Sequence, residues 1–261
     1  MKIATWNVNG IKARLQTVRR WLEEDAPDVA VLQEIKSTDE AFPTEELIDG
    51  TGYSIHTHGQ KGFNGVALLS RVELDDVTRG LPGDDADEQA RYIEATAIGE
   101  RDAVRVCGLY LPNGNPAPGP KYDYKLGWMA RLEARARELL AEETPFLMTG
   151  DFNVIPDDRD ALQPARWHDD ALALPQTRGA YRRIVNLGLT DALRARTPAP
   201  HHFTFWDYTK GAWERNDGIR IDHFLLSPAV ADRMRDVTIQ AELRGRDKPS
   251  DHVPVWLTLD L

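Results

Sequence analysis

Short apolar runs alternate with amphipathic stretches along the whole chain, and the runs have the Val, Ile, Thr and aromatic content of strands. KIATWNV, DVAVLQE, YSIHTH, GVALLS, YIEATAI, AVRVCGLYLP, PFLMTGDFN, HFTFWDY, IRIDHFLLS, VTIQAE and VPVWLTLDL all read this way. Helical spacing predicts helices over 11–25, 122–143, 176–187 and 229–234. In the second of these, Leu126, Met129, Leu132, Ala136, Leu139 and Leu140 form one apolar stripe. Many strands with few helices do not fit a doubly wound parallel sheet, whereas two packed mixed β-sheets flanked by helices do. No repeat, low-complexity segment or composition break divides the chain, so residues 1–261 are expected to form a single domain. Its longest irregular pieces, 80–90, 113–120 and 154–175, have the length of functional or mobile loops.

Composition narrows the function classes. A formal charge of −10 argues against a protein that coats nucleic acid non-specifically. The charge is uneven: residues 71–102 carry ten acids against four bases, and residues 178–252 thirteen bases against ten acids. A basic face on the carboxy-terminal half follows, and 24 arginines against 8 lysines suit phosphate gripping or reflect codon bias alone. No run approaches the roughly 20 apolar residues of a membrane span. MKIATWNVNG has no apolar leader core. A soluble cytoplasmic protein is therefore expected, with no membrane partner. The lone Cys107 rules out an internal disulfide or a multi-cysteine zinc site and reads as core packing.

Candidate chemistry gathers where apolar strands end. Asn7 and Asn9 close the first strand and Glu34 the second; Tyr110 and Asn113 follow the sixth. Asp151 and Asn153 follow FLMTG, Asp222 lies between Ile221 and His223, and Asp251 with His252 opens the last strand. Strand ends are where packed sheets deliver side chains to one common place. Carboxylates and amides without thiols suit a hard cation, magnesium first and manganese second. Glu34 and Asp251 are the best direct ligands, with Asn7 and Asp151 close by. His252 with Asp222 resembles the orienting half of a catalytic triad, and no serine belongs to an elbow motif, so water is the expected nucleophile. Asn153 would donate to a phosphoryl oxygen, and Tyr110 would donate too or act as phenolate.

Each residue alone has an ordinary explanation. Asn7, Asn9 and Asp151 could be turn residues, Glu34 a solvated strand end, His252 a structural histidine and Tyr110 a strand aromatic. Asp222 inside an apolar strand resists this, because a buried carboxylate needs a partner. The joint pattern is what shifts the balance.

At these residues the chain resembles the exonuclease III family of abasic-site endonucleases, within the wider endonuclease/exonuclease/phosphatase superfamily. The matching pieces are TWNVNGIKAR at 5–14, LQEIK at 32–36, GLYLPNG at 108–114, GDFNVIP at 150–156, RIDHFLLS at 220–227 and KPSDHVPV at 248–255, in the family's order. The resemblance implies a four-layer α/β sandwich and a metal set drawn from Asn7, Glu34, Asp151, Asn153, Asp251 and His252. It implies phosphate contacts from Tyr110 and Asn113, an acid/base at Asp151, a transition-state donor at Asn153 and an Asp222–His252 dyad. HHFTFWDYTKG at 201–211 resembles the family's DNA-engaging loop. There Phe205, with Ile219 and Ile221, would form a small apolar pocket for a base-free deoxyribose, or would simply be core. Some members carry tryptophan where this chain has Ile219. Arg14, Lys61, Asn64, Lys121 and Lys210 are weaker DNA-side candidates, each readable as surface or turn.

The expected activity is magnesium-dependent hydrolysis of double-stranded DNA 5′ to abasic sites, with trimming of 3′ ends. No obligate protein partner is called for, and a monomer is expected. Two alternatives stay open: a phosphatase or phosphodiesterase for a small phosphorylated molecule, and a non-catalytic DNA-binding module. The complete polar set speaks against the second.

Overall fold

The computed structural model describes residues 1–261. Its strands are β1 (Lys2–Asn7), β2 (Val29–Gln33), β3 (Ser54–His58), β4 (Val66–Ser70), β5 (Leu74–Arg79), β6 (Tyr92–Ile98), β7 (Ala103–Tyr110), β8 (Phe146–Asp151), β9 (Thr190–Asp191), β10 (Asp222–Leu226), β11 (Met234–Ile239) and β12 (Val255–Leu259). Helices are α1 (Ile11–Glu24), α2 (Thr44–Ile48), α3 (Pro120–Ala141), α4 (Pro175–Val185), α5 (Ala192–Arg196) and α6 (Pro228–Ala231). The strands form two six-stranded sheets, ordered β11-β12-β1-β2-β4-β3 and β5-β6-β7-β8-β10-β9. Each sheet is mixed, with one parallel pair: β1 with β2, and β7 with β8. Parallel neighbours need a crossover, and α1 and α3 supply it.

Period-two alternation sorts the strand residues into layers. Ile3, Val29, Val31, Val106, Leu147 and Phe224 face the core between the sheets. Ala4, Trp6, Ala30 and Leu32 face outward onto Val18, Trp21 and Leu22 of α1. Cys107 and Met148 face the opposite way, onto Trp128, Met129 and Leu132 of α3. Helix, sheet, sheet and helix are the four layers of an α/β sandwich. No helix is long and apolar enough to cross a membrane.

The structure corrects several local expectations. HFTFWDY is not a strand. Phe205 N–H donates to Ile219 O at 3.0 Å and Trp206 N–H to Asp251 O at 2.9 Å, so the segment is stitched to two distant segments and makes only isolated bridges. Strand β5 was not expected, because LDDVTR is a largely exposed edge whose acids mask the alternation. The buried stripe of α3 is Tyr122, Lys125, Trp128, Met129, Leu132, Ala136 and Leu139. Leu126 and Leu140 are only partly buried, and a lysine occupies a core position.

Candidate active site

The carboxy-terminal ends of β1, β2, β7 and β8 meet the start of β10 and the turn before β12. Parallel pairing sets Tyr110 beside Asp151, and antiparallel pairing sets Asp222 beside Asp151. Asn7 Nδ2 donates to Glu34 Oε1 at 2.8 Å and to Asp151 Oδ2 at 3.0 Å, so one amide spans two carboxylates from different sheets. Glu34 and Asn153 hold this geometry with φ of 50° and 47°, a left-handed backbone that costs roughly 1 kcal/mol for a residue bearing a Cβ.

His252 is buried, and its Nδ1 meets Asp222 Oδ2 at 2.9 Å. Its Nε2 lies 3.7 Å from Asp151 Oδ2. Burial works against the imidazolium, but the Asp222 and Asp151 carboxylates outweigh it and push the pKa up to about 10. Burial pushes the Asp151 carboxyl up to about 7 against the pull of His252, and Asp222 and Glu34 add to the rise. Glu34 goes the other way: burial would raise it, yet the Asn7 amide and the Lys36 ammonium at 2.9 Å hold it below the usual carboxylate range. Burial, then Glu34 and Asp151, push the Tyr110 phenol well above its ordinary value. It is therefore a neutral donor rather than a phenolate.

Asn113 Nδ2 donates to Asn153 Oδ1 at 3.1 Å, joining the two asparagines. Ligand atoms of Glu34, Asp151 and His252 lie within 4.8 Å of one another. Asp251 stands outside that group, linked through Asn9, whose Nδ2 donates to Asp251 Oδ1 at 3.0 Å and whose Oδ1 accepts from Lys36 Nζ at 2.6 Å. Lys36 is a site residue that sequence reasoning left unassigned, although it stands in the LQEIK motif.

Phe205 packs edge-on against His252 with centroids 5.0 Å apart. With Trp167 and Ile219 it lines a cavity of about 170 Å³, rimmed by Arg166, Lys210 and Arg215. Ile221, expected in the pocket wall, does not line this cavity and is instead 2% exposed in a core cluster with Ile155, Ala161 and Leu172. Arg14 reaches Tyr208 Oη at 2.9 Å beside Asp251, whereas Lys61, Lys121 and Lys210 are exposed. Asn64 turns inward, its Nδ2 donating to Gln60 at 2.9 Å and Gln89 at 3.3 Å, so it is a loop staple.

Residues 4–252 match the Endonuclease/Exonuclease/phosphatase family. The chain belongs to that family. It is 38% identical to exodeoxyribonuclease III of Haemophilus influenzae over 264 residues, covering 98% of both chains. Its fold is similar to that of the 3′-5′ exonuclease NExo from Neisseria meningitidis, with a TM-score of 0.95 and 39% identity over 100% of both chains. An AP endonuclease from Archaeoglobus fulgidus follows at 0.93 and 37% identity, again covering 100% of both. Members of the family work with a bound metal, and the donors here fit one. The clustered donors are the Glu34 and Asp151 carboxylates and the His252 imidazole, with the Asn7 amide bridging the two carboxylates and no thiol, a set that suits a hard cation.

Proposed function

We propose that this DNA repair nuclease hydrolyses phosphodiester bonds in duplex DNA, removing nucleotides or blocking groups at 3′ ends and incising 5′ to abasic sites, with magnesium as the cation and as a monomer. The observation that carries the reading is the buried line Asp222–His252–Asp151 facing Glu34 and Asn7 across the sheet seam. Likeness over the full chain to an exodeoxyribonuclease III, a 3′-5′ exonuclease and an AP endonuclease supports DNA as substrate. A small phosphorylated molecule finds no such support.

Glu34 would hold magnesium, with Asn7, Asp151 and Asp251 at the edge of the site; manganese fits the same oxygens. Bound there, the ion supplies charge neutralisation at the phosphate. His252 offers nitrogen to a hard cation that prefers oxygen, so it is the weaker partner. It instead faces the developing phosphoryl charge as a cation, oriented by Asp222. Asp151, with a carboxyl raised to about 7, takes the proton from the attacking water. Asn153 and Asn113 donate amide hydrogens to non-bridging oxygens, and the Tyr110 phenol adds a third donor. Phe205 and the compact cavity with Trp167 and Ile219 favour a sugar without its base.

The test is a labelled duplex carrying one abasic-site analogue beside a matched intact duplex, each in magnesium and in EDTA. Metal-dependent incision 5′ to the lesion supports the whole reading. Shortening of both duplexes from their 3′ ends alone would remove the abasic part. Cleavage of neither would sink it.

A further inference from the structure

Lys125 lies near the start of α3 with none of its surface exposed, a core place for the residue type least suited to one. No carboxylate pairs with it. Both hydrogen bonds of its ammonium go to backbone carbonyls, Asn153 O at 2.6 Å and Asn113 O at 3.0 Å. These belong to the two asparagines placed above on the phosphate, one on the loop after β7 and one on the loop after β8. Gly114 closes the arrangement, because a Cβ there would stand 2.6 Å from Lys125 Cδ.

The side chains of the same pair are also fixed. Asn113 Oδ1 accepts from Asn115 N–H at 3.2 Å and Asn115 Nδ2 at 2.9 Å, which forces its Nδ2 toward Asn153 Oδ1. Asn153 Nδ2 in turn donates to Leu111 O at 2.9 Å. An amide nitrogen carries two hydrogens, so each asparagine keeps one to give. The distance between those two donors is set by how the loops are held together, and Lys125 spans the two backbones at that point. A methionine would fill the same volume without the penalty of a buried charge. What the lysine adds is two bonds at fixed spacing.

We infer that Lys125 is a positioning residue, which acts through Asn113 and Asn153 and never touches substrate. The inference rests on the reading of that pair as phosphate donors. It is tested by kcat and KM of Lys125→Met on the abasic duplex and on an intact duplex with a recessed 3′ end. Thermal melting runs alongside, together with Asn153→Ala, Asn113→Ala and each double variant. Lys125→Met should lower kcat roughly 10- to 100-fold with KM changed less than about threefold, the pattern of a sub-ångström misplacement. In either alanine background its further effect should be clearly smaller than in the wild-type background, because one of the two groups whose spacing it sets is gone. If Lys125→Met fails to fold, Gly114→Ala crowds the lysine stem and should give the same kcat-selective loss. A folded Lys125→Met with wild-type kcat, or full additivity in both double variants, would overturn the inference and leave the nuclease reading intact. A wild-type protein that cuts neither duplex would remove both.

Discussion

Two histidines sit on opposite faces of one strand region, both buried, and their chemistry diverges. His252 meets Asp222 at Nδ1 and has Asp151 beyond Nε2, and its pKa is pushed up to about 10. His223, the residue after Asp222, packs on the other face with Arg220 at 3.0 Å from Nδ1, and its Nε2 donates to Val154 O at 2.9 Å. Burial and then the Arg220 guanidinium push His223 down to about 4. Desolvation acts the same way on both, so the sign of the neighbouring charge decides. The second cluster is also self-neutralising. Arg220, 1% exposed, bonds Asp160 Oδ1 at 2.7 Å and Asp191 Oδ2 at 2.9 Å, and Arg194 joins Asp160. It ties the loop after β8 to β9 and β10. The first cluster has carboxylates in excess and a buried Asp222 oxygen that no side chain or backbone group meets, so its charge is not balanced from within. One cluster carries unbalanced charge and the other is neutralised by its own residues.

The sharpest way to break this comparison is to remove the protonic groups of the first cluster. Asp151→Asn and His252→Asn should each lower kcat roughly 10³-fold or more while the thermal midpoint moves little, read by single-turnover cleavage and calorimetry. Loss of folding in place of activity would erase the contrast. Arg220→Met should do the reverse. It leaves Asp191 without its guanidinium and Asp160 with Arg194 alone, at a cost of about 3–5 kcal/mol, visible in denaturant unfolding, with kcat of the folded protein largely kept.

Asp222→Asn sharpens the point within the first cluster. It keeps the hydrogen-bond geometry but removes the main charge that favours the imidazolium, so His252 should titrate lower by NMR and kcat should fall roughly 10²-fold. An unchanged His252 titration would mean that Asp222 does not set its charge.

The smallest effect is a pH slope. His223 binds its proton in the folded state only near pH 4, against an ordinary 6.5 in the unfolded chain. Between those values the unfolded state holds more protons, so stability rises with pH and is lost on acidification from 6.5 to 4. His252 has the opposite sign: its contribution is full below 6.5 and is lost as pH rises through about 10. His223→Gln should remove about 1–2 kcal/mol of the acid-side slope, measured as unfolding free energy at pH 4.5 and 7. A slope identical to wild type would show that His223 is not held neutral.

Much of the candidate site was legible as residue types at strand ends, because strands can deliver polar groups only from their rims. Asn7, Glu34, Tyr110, Asp151, Asp222 and His252 were found that way and do converge. Ile219 and Ile221 were legible only as apolar, since sequence spacing does not distinguish a pocket wall from a core. HFTFWDY misled for a related reason. Its β propensity is real, but its backbone partners come from two distant segments, which only the tertiary fold supplies.

The sequence by itself determined the layered α/β class, through period-two runs between helical stripes, and the hard, thiol-free donor chemistry. The tertiary structure alone decided the charge states and the roles of Lys125, Lys36 and Arg220. A lysine on a helix reads as solvent-facing until the surrounding loops enclose it. A histidine carries no preference between acid and base until the fold sets either a carboxylate or a guanidinium beside its ring.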